Sequence, residues 1–374
     1  MKLLIVGNCT RNLVIFRAGV IREALQRGWT VECVGPERDP LVEERLGLLG
    51  SSLTVIPFSR TSTNPFADFG FCLRIWRHIG QRKPNCILSF THKPNMYCSV
   101  ASFGCGIPVV MLIEGLGYAF VGGAGLRQAI ARFVLRCGYR VAVKVGASAI
   151  FLNRDDVAEF ERGGIHFQDQ NQHIVGGVGV DLERFRYVKR SSGGCLRFLM
   201  VARLLRAKGT LEYIETAVRL SRRHDNVEFV LVGAPDPGSD SIDFSIVEGA
   251  VVSGALRYFP FTDDIVQHYI NCDVYVLPSY REGMPVTIME AMAVGRPIIT
   301  SDVPGCREMV DGNGWLVHPA NVQALEECCE LVCSSREKLE ALGLLSRSLA
   351  EKRFDVKFLS RRQVDIIEMS SRLR

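Results

Sequence analysis

The chain is poor in the arrangements that announce a metal or redox centre. Its 13 cysteines include no C-x-x-C pair, no His/Cys cluster has ligand spacing, and Asp-x-Asp occurs nowhere, so no zinc centre, other protein-held metal or cofactor is expected. Cys33, Cys72, Cys86, Cys98 and Cys137 lie in apolar or strand-like stretches, as reduced thiols do, which argues against a disulfide framework. Long apolar runs are also scarce. The N-terminal "MKLLIVGNCTRN" is far too short in apolar residues for a signal-peptide core. Pro94 to Ile113 carries no charge, but Gly104, Gly106 and Pro108 interrupt it, so it reads as a buried helix followed by a buried strand and not as a membrane span. The chain is therefore expected to stay in the cytoplasm. Its first strand leads into "VGNCTRN" instead of a G-x-G-x-x-G loop, which argues against a nicotinamide dehydrogenase.

What is present is apolar content of 47% over 374 residues, enough for the cores of two domains. Residues 1–185 hold 21 Lys/Arg against 15 Asp/Glu, and residues 186–374 hold 24 against 25, so the halves carry +6 and −1. That asymmetry suggests an anionic surface partner for the first half, and it is too modest for a nucleic-acid signature. Short β-branched runs alternate with amphipathic stretches: "KLLIVG", Val14 to Gly28, "TVECVGP", a helix from Leu41, "LTVIPF", Phe66 to Gln81, "CILSF", Asn95 to Gly104, "PVVMLIEG". A second series starts at "LRFLMVARL" and runs through "VEFVLVG", "LRYFPF" and "DVYVLPS" to "PIITSDV". The expected fold is α/β, with two doubly wound Rossmann-like domains facing a central cleft. The domains are expected over 1–185 and 195–355, joined by a linker at 186–194 where "RFRYVKRSSGG" loses apolar periodicity.

Chemistry concentrates in "REGMPVTIMEAMAVGRP", Arg281 to Pro297. It follows a strand, with Pro285 at the first helical position and Gly295 and Pro297 closing the helix. The backbone amides of Met284, Val286 and Thr287 then form an anion site suited to a diphosphate. Glu282 and Glu290 beside a diphosphate would be repelled unless they accept hydrogen bonds from hydroxyls of the same ligand. A nucleotide sugar meets both demands, with Glu290 on a ribose and Glu282 on a hexose. Spacing alone leaves open that Glu282 caps the helix and Glu290 faces solvent. The apolar neighbours Met289, Ala291 and Met292 favour a buried helix, in which a carboxylate needs partners. Arg203 and Lys208 of "VARLLRAKG" follow the first strand of the second series and would offset a leaving diphosphate.

These segments, together with "VGGVGVDLERF" and "SDVPGCREMV", resemble the retaining glycosyltransferases of family 4, which share the GT-B fold. The resemblance implies a UDP-sugar donor, retention at the anomeric carbon, and a C-terminal helix, here 356–374, crossing back to the first domain. Glu282 and Glu290 match the family's spaced glutamates, and Arg203 and Lys208 its diphosphate-binding pair; Gly283 and Gly7 join the donor site. "SRTSTNP", "THKPN" and "LIEGLGYAF" resemble a narrower branch, bacterial transferases that add N-acetylgalactosamine to a sugar on undecaprenyl diphosphate. On that likeness 1–185 is the acceptor domain, with Arg17, Arg60, Lys93, Asn95 and Glu114 as acceptor-binding residues. His92 is then a catalytic group that hydrogen-bonds the donor sugar or positions the acceptor. The first loop departs from the wider family, since Gly7 is not followed by a second glycine.

Between Arg127 and Lys144, Arg132, Arg136, Arg140 and Lys144 recur every four residues among Ile130, Phe133, Val134 and Val141. This reads as a basic amphipathic helix lying on anionic lipid, which would make the protein peripheral on the inner face of the cytoplasmic membrane. A solvated helix face over an ordinary core is the rival reading. For the whole chain, the rivals to a transferase are a UDP-sugar epimerase of the same fold and a non-catalytic nucleotide-sugar-binding partner.

Overall fold

A computed structural model describes every residue except 60–64, 117–125, 191–193, 237, 239, 263 and 373–374. It divides into two units, Met1–Val178 with Val356–Arg374, and Gly179–Asp355.

The first unit opens with β1 (Lys2–Val6), α1 (Thr10–Ile15), α2 (Ala18–Gln26), β2 (Thr30–Gly35), α3 (Pro40–Leu49) and β3 (Ser52–Val55). It continues through α4 (Pro65–Arg82), β4 (Cys86–Phe90), α5 (His92–Phe103), β5 (Val109–Ile113), α6 (Leu126–Lys144), β6 (Ser148–Phe151), α7 (Arg154–Arg162) and β7 (Gln172–Ile174). All seven strands are parallel, in the order β3-β2-β1-β4-β5-β6-β7. Helices cover both faces of such a sheet, so its central strands read as unbroken apolar runs; Leu3 to Val6 and Val109 to Ile113 are all buried. The strand order reverses between β1 and β4, which places the loops after these strands, with Gly7 and Thr91, where ligands of open α/β sheets bind.

Two helices differ from expectation. Val14 to Gly28 is not one helix: α1 and α2 break at Arg17, which is fully buried between them. The helix expected from Asn95 begins at His92, because Thr91 turns the chain with φ +70 and ψ 160, so "HKPN" is the first turn of α5 and not a loop.

The second unit holds β8 (Leu196–Val201), α8 (Thr210–Ser221), β9 (Val227–Val232), α9 (Phe244–Val252), β10 (Arg257–Phe259), α10 (Ile265–Ile270) and β11 (Val274–Leu277). After these come α11 (Val286–Val294), β12 (Ile298–Ser301), β13 (Gly314–Val317), α12 (Val322–Ser334) and α13 (Leu339–Arg353). Its six parallel strands run β10-β9-β8-β11-β12-β13, reversing between β8 and β11. The segment expected to be a linker is part of this unit. The Val188 amide donates to the Val294 carbonyl at 3.2 Å, and Arg190 Nη1 pairs with Asp273 Oδ1 at 2.8 Å. The last helix, α14 (Val356–Arg372), returns to the first unit and packs on α2, burying Leu359, Val364, Ile366 and Ile367.

Candidate functional site

In the second unit, the loops after β8 and β11 meet at the carboxyl edge of the sheet. Gly209 permits this: its φ is +71, and a Cβ there would stand 2.1 Å from the Pro278 carbonyl oxygen, so a side chain cannot be placed. The Tyr280 amide donates to the Ala207 carbonyl at 2.9 Å, and the Ala207 amide donates to Asp240 Oδ2 at 3.0 Å. Within this frame Lys208 Nζ donates to Glu282 Oε1 at 2.5 Å, and Ser279 Oγ donates to the same oxygen at 2.7 Å. The structure thus joins Lys208 to Glu282. Arg203 turns elsewhere: it is exposed, and its Nη1 donates to Asp236 Oδ2 at 2.5 Å in the loop after β9. Each cation already faces a carboxylate.

Helix α11 starts at Val286, with Pro285 as its N-cap one residue before the expected position. No side chain caps it, and the amides of Val286 and Thr287 lead the helix ahead of its internal hydrogen bonds. Gly283 and Met284 are buried at its mouth. Ile288, Met289, Ala291 and Met292 are fully buried, so the helix is an interior one. Glu290 Oε2 accepts from the Tyr269 hydroxyl at 2.8 Å, and burial pushes the Glu290 carboxyl up to about 7. Asp236, Ser279 and Tyr269 escaped the sequence reading. Their signal was position, since Asp236 and Ser279 follow the strands "VEFVLVG" and "DVYVLPS".

The first unit gathers a second group. Arg17 lies 4.6 Å over the Phe90 ring and pairs with Glu114. Because Arg17 is fully enclosed, it holds Glu114 and does not offer itself to a ligand, contrary to expectation; Glu114 keeps a quarter of its side chain open. Asn95 is likewise fully buried, since the early start of α5 turns it into the core, where its Nδ2 donates to the Leu112 carbonyl at 3.1 Å. Lys93 Nζ donates to Asp68 Oδ1 at 2.7 Å and to the Ser59 carbonyl at 3.1 Å. The Gly7 amide donates to the Val34 carbonyl at 3.1 Å, and a Cβ on Gly7 would strike the Phe90 ring. That glycine serves packing, and its amide is not free for a phosphate. His92 is half-buried, with Nδ1 2.9 Å from the Tyr139 hydroxyl and Nε2 3.2 Å from the Leu116 carbonyl oxygen, and burial lowers its pKa. Arg60 lies outside the described residues.

Among the described residues, His224, Glu330 and Cys333 bring three metal-ligand atoms within 4.8 Å of one another, although Glu330 is taken by Arg223 at 3.1 Å and His224 at 2.7 Å. No described helix is long and apolar enough to cross a membrane.

Residues 183–347 match the family of glycosyl transferases group 1. Over 359 residues the chain is 30% identical to the N,N'-diacetylbacillosaminyl-diphospho-undecaprenol alpha-1,3-N-acetylgalactosaminyltransferase of Campylobacter jejuni, covering 91% of each protein. Among solved structures, HepE of Anabaena in complex with UDP-glucose matches with a TM-score of 0.78 at 18% identity, over 99% of this chain and 100% of that one. The UDP-GlcNAc 2-epimerase of Neisseria meningitidis bound to UDP-GlcNAc matches with a TM-score of 0.66 at 14% identity, over 99% and 100%. The architecture is the expected GT-B fold. Transferases and epimerases both carry it, so fold alone does not decide between them.

Proposed function

Since the chain belongs to the group 1 glycosyltransferases, we propose that it moves a hexosamine from a UDP-sugar to a sugar on undecaprenyl diphosphate, with retention at the anomeric carbon, in assembly of a bacterial surface glycan. N-acetylgalactosamine is the sugar named for the relative that shares 91% of the chain, and it is the donor sugar we assign. The observation that carries the reading is the Lys208–Glu282 contact at the mouth of α11. It puts a cation, a hydroxyl-binding carboxylate and a helix N-terminus on one loop pair.

The roles follow from charge. As the bond between sugar and diphosphate lengthens, negative charge grows on the leaving oxygens, and groups already aimed there lower the barrier. Lys208 and the leading amides of α11 take that part, with Arg203 turning from Asp236 to the diphosphate. Glu282 accepts from hexose hydroxyls, and Glu290 accepts from the ribose. The acceptor hydroxyl attacks on the face the diphosphate leaves, with no protein nucleophile. The first unit binds the acceptor, with Glu114 as its partly open carboxylate and His92 positioning the acceptor sugar.

We assign the membrane contact to α6 and the neighbouring α4 and α5. The outward stripe of α6 is apolar, with Ile130, Phe133, Val134 and Val141 exposed at helical spacing, and Phe66, Phe69, Trp76, Val100 and Phe103 are exposed on α4 and α5. The three helices carry nine Lys/Arg, and Asp68 is their one acidic residue. Arg140 does not belong to this face, because it donates to the Gly163 and Gly164 carbonyls at 2.9 and 3.1 Å. Apolar and aromatic side chains among cations suit an anionic bilayer interface, where the acceptor's lipid is anchored. On this reading the protein works on the inner face of the cytoplasmic membrane.

Calorimetric titration with UDP, with and without EDTA, tests the donor site. UDP binding that is unchanged by EDTA is expected; binding that requires magnesium would overturn the reliance on Lys208, Arg203 and the helix terminus.

A further inference from the structure

His92 stands at one end of a chain of hydrogen bonds whose direction can be worked out. Two backbone carbonyls fix it, because a carbonyl oxygen only accepts. Leu116 O accepts at 3.2 Å, so His92 Nε2 must carry the proton there. The neutral ring then has a bare lone pair at Nδ1, and the Tyr139 hydroxyl at 2.9 Å must donate to it. At the other end, Leu112 O accepts at 3.1 Å from the amide nitrogen of Asn95, which orients that amide. The second N–H of Asn95 reaches the Tyr139 oxygen at 3.4 Å, and Asn95 Oδ1 accepts from Ser89 Oγ at 2.8 Å. Ser89, Asn95 and Tyr139 are all fully buried, so water does not substitute for any link.

We propose that Tyr139 is a positioning residue that locks His92 as the Nε2–H tautomer, making this imidazole a hydrogen-bond donor to a substrate oxygen and barring it from acting as a base. The inference rests on the assignment of His92 to the acceptor-binding unit. In the opposite tautomer Nδ1–H would donate to the Tyr139 oxygen, which already accepts from Asn95, so the buried Tyr139 proton would lose its acceptor, and a bare Nε2 lone pair would face the Leu116 carbonyl. Among Ser89, His92, Asn95 and Tyr139, His92 alone is not fully buried, and its Nε2–H is held by a single carbonyl at 3.2 Å. A sugar hydroxyl oxygen or an acetamido carbonyl can take that proton donor over from Leu116. Nδ1, sealed under Tyr139, has no access to a substrate proton. Thr91, immediately before His92, is held at φ +70, a conformation that costs free energy and is stored at functional sites. Burial also disfavours the imidazolium and lowers the His92 pKa, which favours the neutral ring.

The test uses the full chain and the Tyr139→Phe variant, which keeps the ring and removes only the hydroxyl. Long-range proton–nitrogen NMR on protein labelled with nitrogen-15 in histidine should show His92 as Nε2–H in the wild type and as a mixture of tautomers in Tyr139→Phe. Transfer by Tyr139→Phe should show kcat lowered by about tenfold with donor KM unchanged, as expected when a group is misdirected in the transition state and the donor is bound as before. The wild-type rate should show no inflection from a histidine in the ordinary imidazole range, because burial lowers the His92 pKa, whereas the variant should gain one nearer that range. An Nδ1–H tautomer in the wild type, or an identical His92 spectrum in both proteins, overturns the proposal. Failure of the His92 assignment itself looks different: His92→Ala would transfer at the wild-type rate while the NMR shift between wild type and Tyr139→Phe persists, and this would overturn the functional half of the proposal.

Discussion

Lys208 Nζ and Glu282 Oε1 lie 2.5 Å apart, between loops that follow strands β8 and β11. The pair is half-buried, and Ser279 supplies the carboxylate with a second donor. Ion pairing accounts for the arrangement in the free protein, and the proposed reaction requires that Lys208 also act on the diphosphate.

A double-mutant cycle separates those two duties. Lys208→Ala should lower kcat by about 10²-fold at saturating donor, the loss typical of a preorganised electrostatic group. If Lys208 served only to hold Glu282, the same change in a Glu282→Gln background would cost nothing further. We expect most of the loss to remain in that background, measured as single-turnover transfer. Arg203→Ala should fall in the same direction without loss of thermal stability, because its bond to Asp236 is on the surface.

Glu290 gives a pH signature. The folded state holds the Glu290 proton more tightly than the unfolded chain does, so the stability due to this group is complete below about pH 4.5 and is lost as the pH rises through about 7. Glu290→Gln removes that dependence. Thermal melts should show the variant gaining roughly 2–6 °C over wild type at pH 8 and nothing at pH 5. UDP affinity should fall by about tenfold in calorimetry, since an amide is a weaker partner for ribose hydroxyls than a carboxylate. A variant that melts with the wild type at both pH values would remove the buried-carboxyl account.

For the membrane face, the outward apolar stripe of α6 and its half-buried Arg132 and Arg136 make different contributions. Phe133→Ser with Ile130→Ser should reduce sedimentation with vesicles at every salt concentration. Arg132→Gln with Arg136→Gln should reduce it most at low ionic strength, by about 1 kcal/mol per residue, and only on anionic vesicles. UDP affinity should be untouched in both. Vesicle binding equal to wild type in both variants would leave α6 a solvated surface.

How much of this was legible in the sequence depends on whether a residue's role is set by its neighbours along the chain. The alternation of apolar runs gave both parallel sheets, because strands buried on both faces cannot hide their composition. Glu290 was readable as a buried carboxylate from Met289, Ala291 and Met292, and Tyr269 supplies its partner from 21 residues away. The first unit was harder. Thr91 adopts a left-handed backbone that its side chain does not favour, and this moved the start of α5 and carried Asn95 from an expected ligand position into the core. Arg17 reads as a surface cation until Phe90 and Glu114 are seen to enclose it from 73 and 97 residues away, counting along the numbering. Likewise Lys208 and Arg203 look like one pair of cations in "ARLLRAK", and only Glu282 and Asp236, contributed by other loops, show that each has its own carboxylate.

The most direct measurement is transfer itself. The purified protein would be incubated with UDP-N-acetylgalactosamine and an undecaprenyl-diphosphate-linked hexosamine, with mass spectrometry of the lipid and NMR of the new linkage as readouts. The account predicts addition of one N-acetylhexosamine, one UDP released for each sugar transferred, and an anomeric configuration equal to that of the donor. Donor binding with no transfer to any lipid-linked glycan, or conversion of the UDP-sugar to its epimer without transfer, would contradict it.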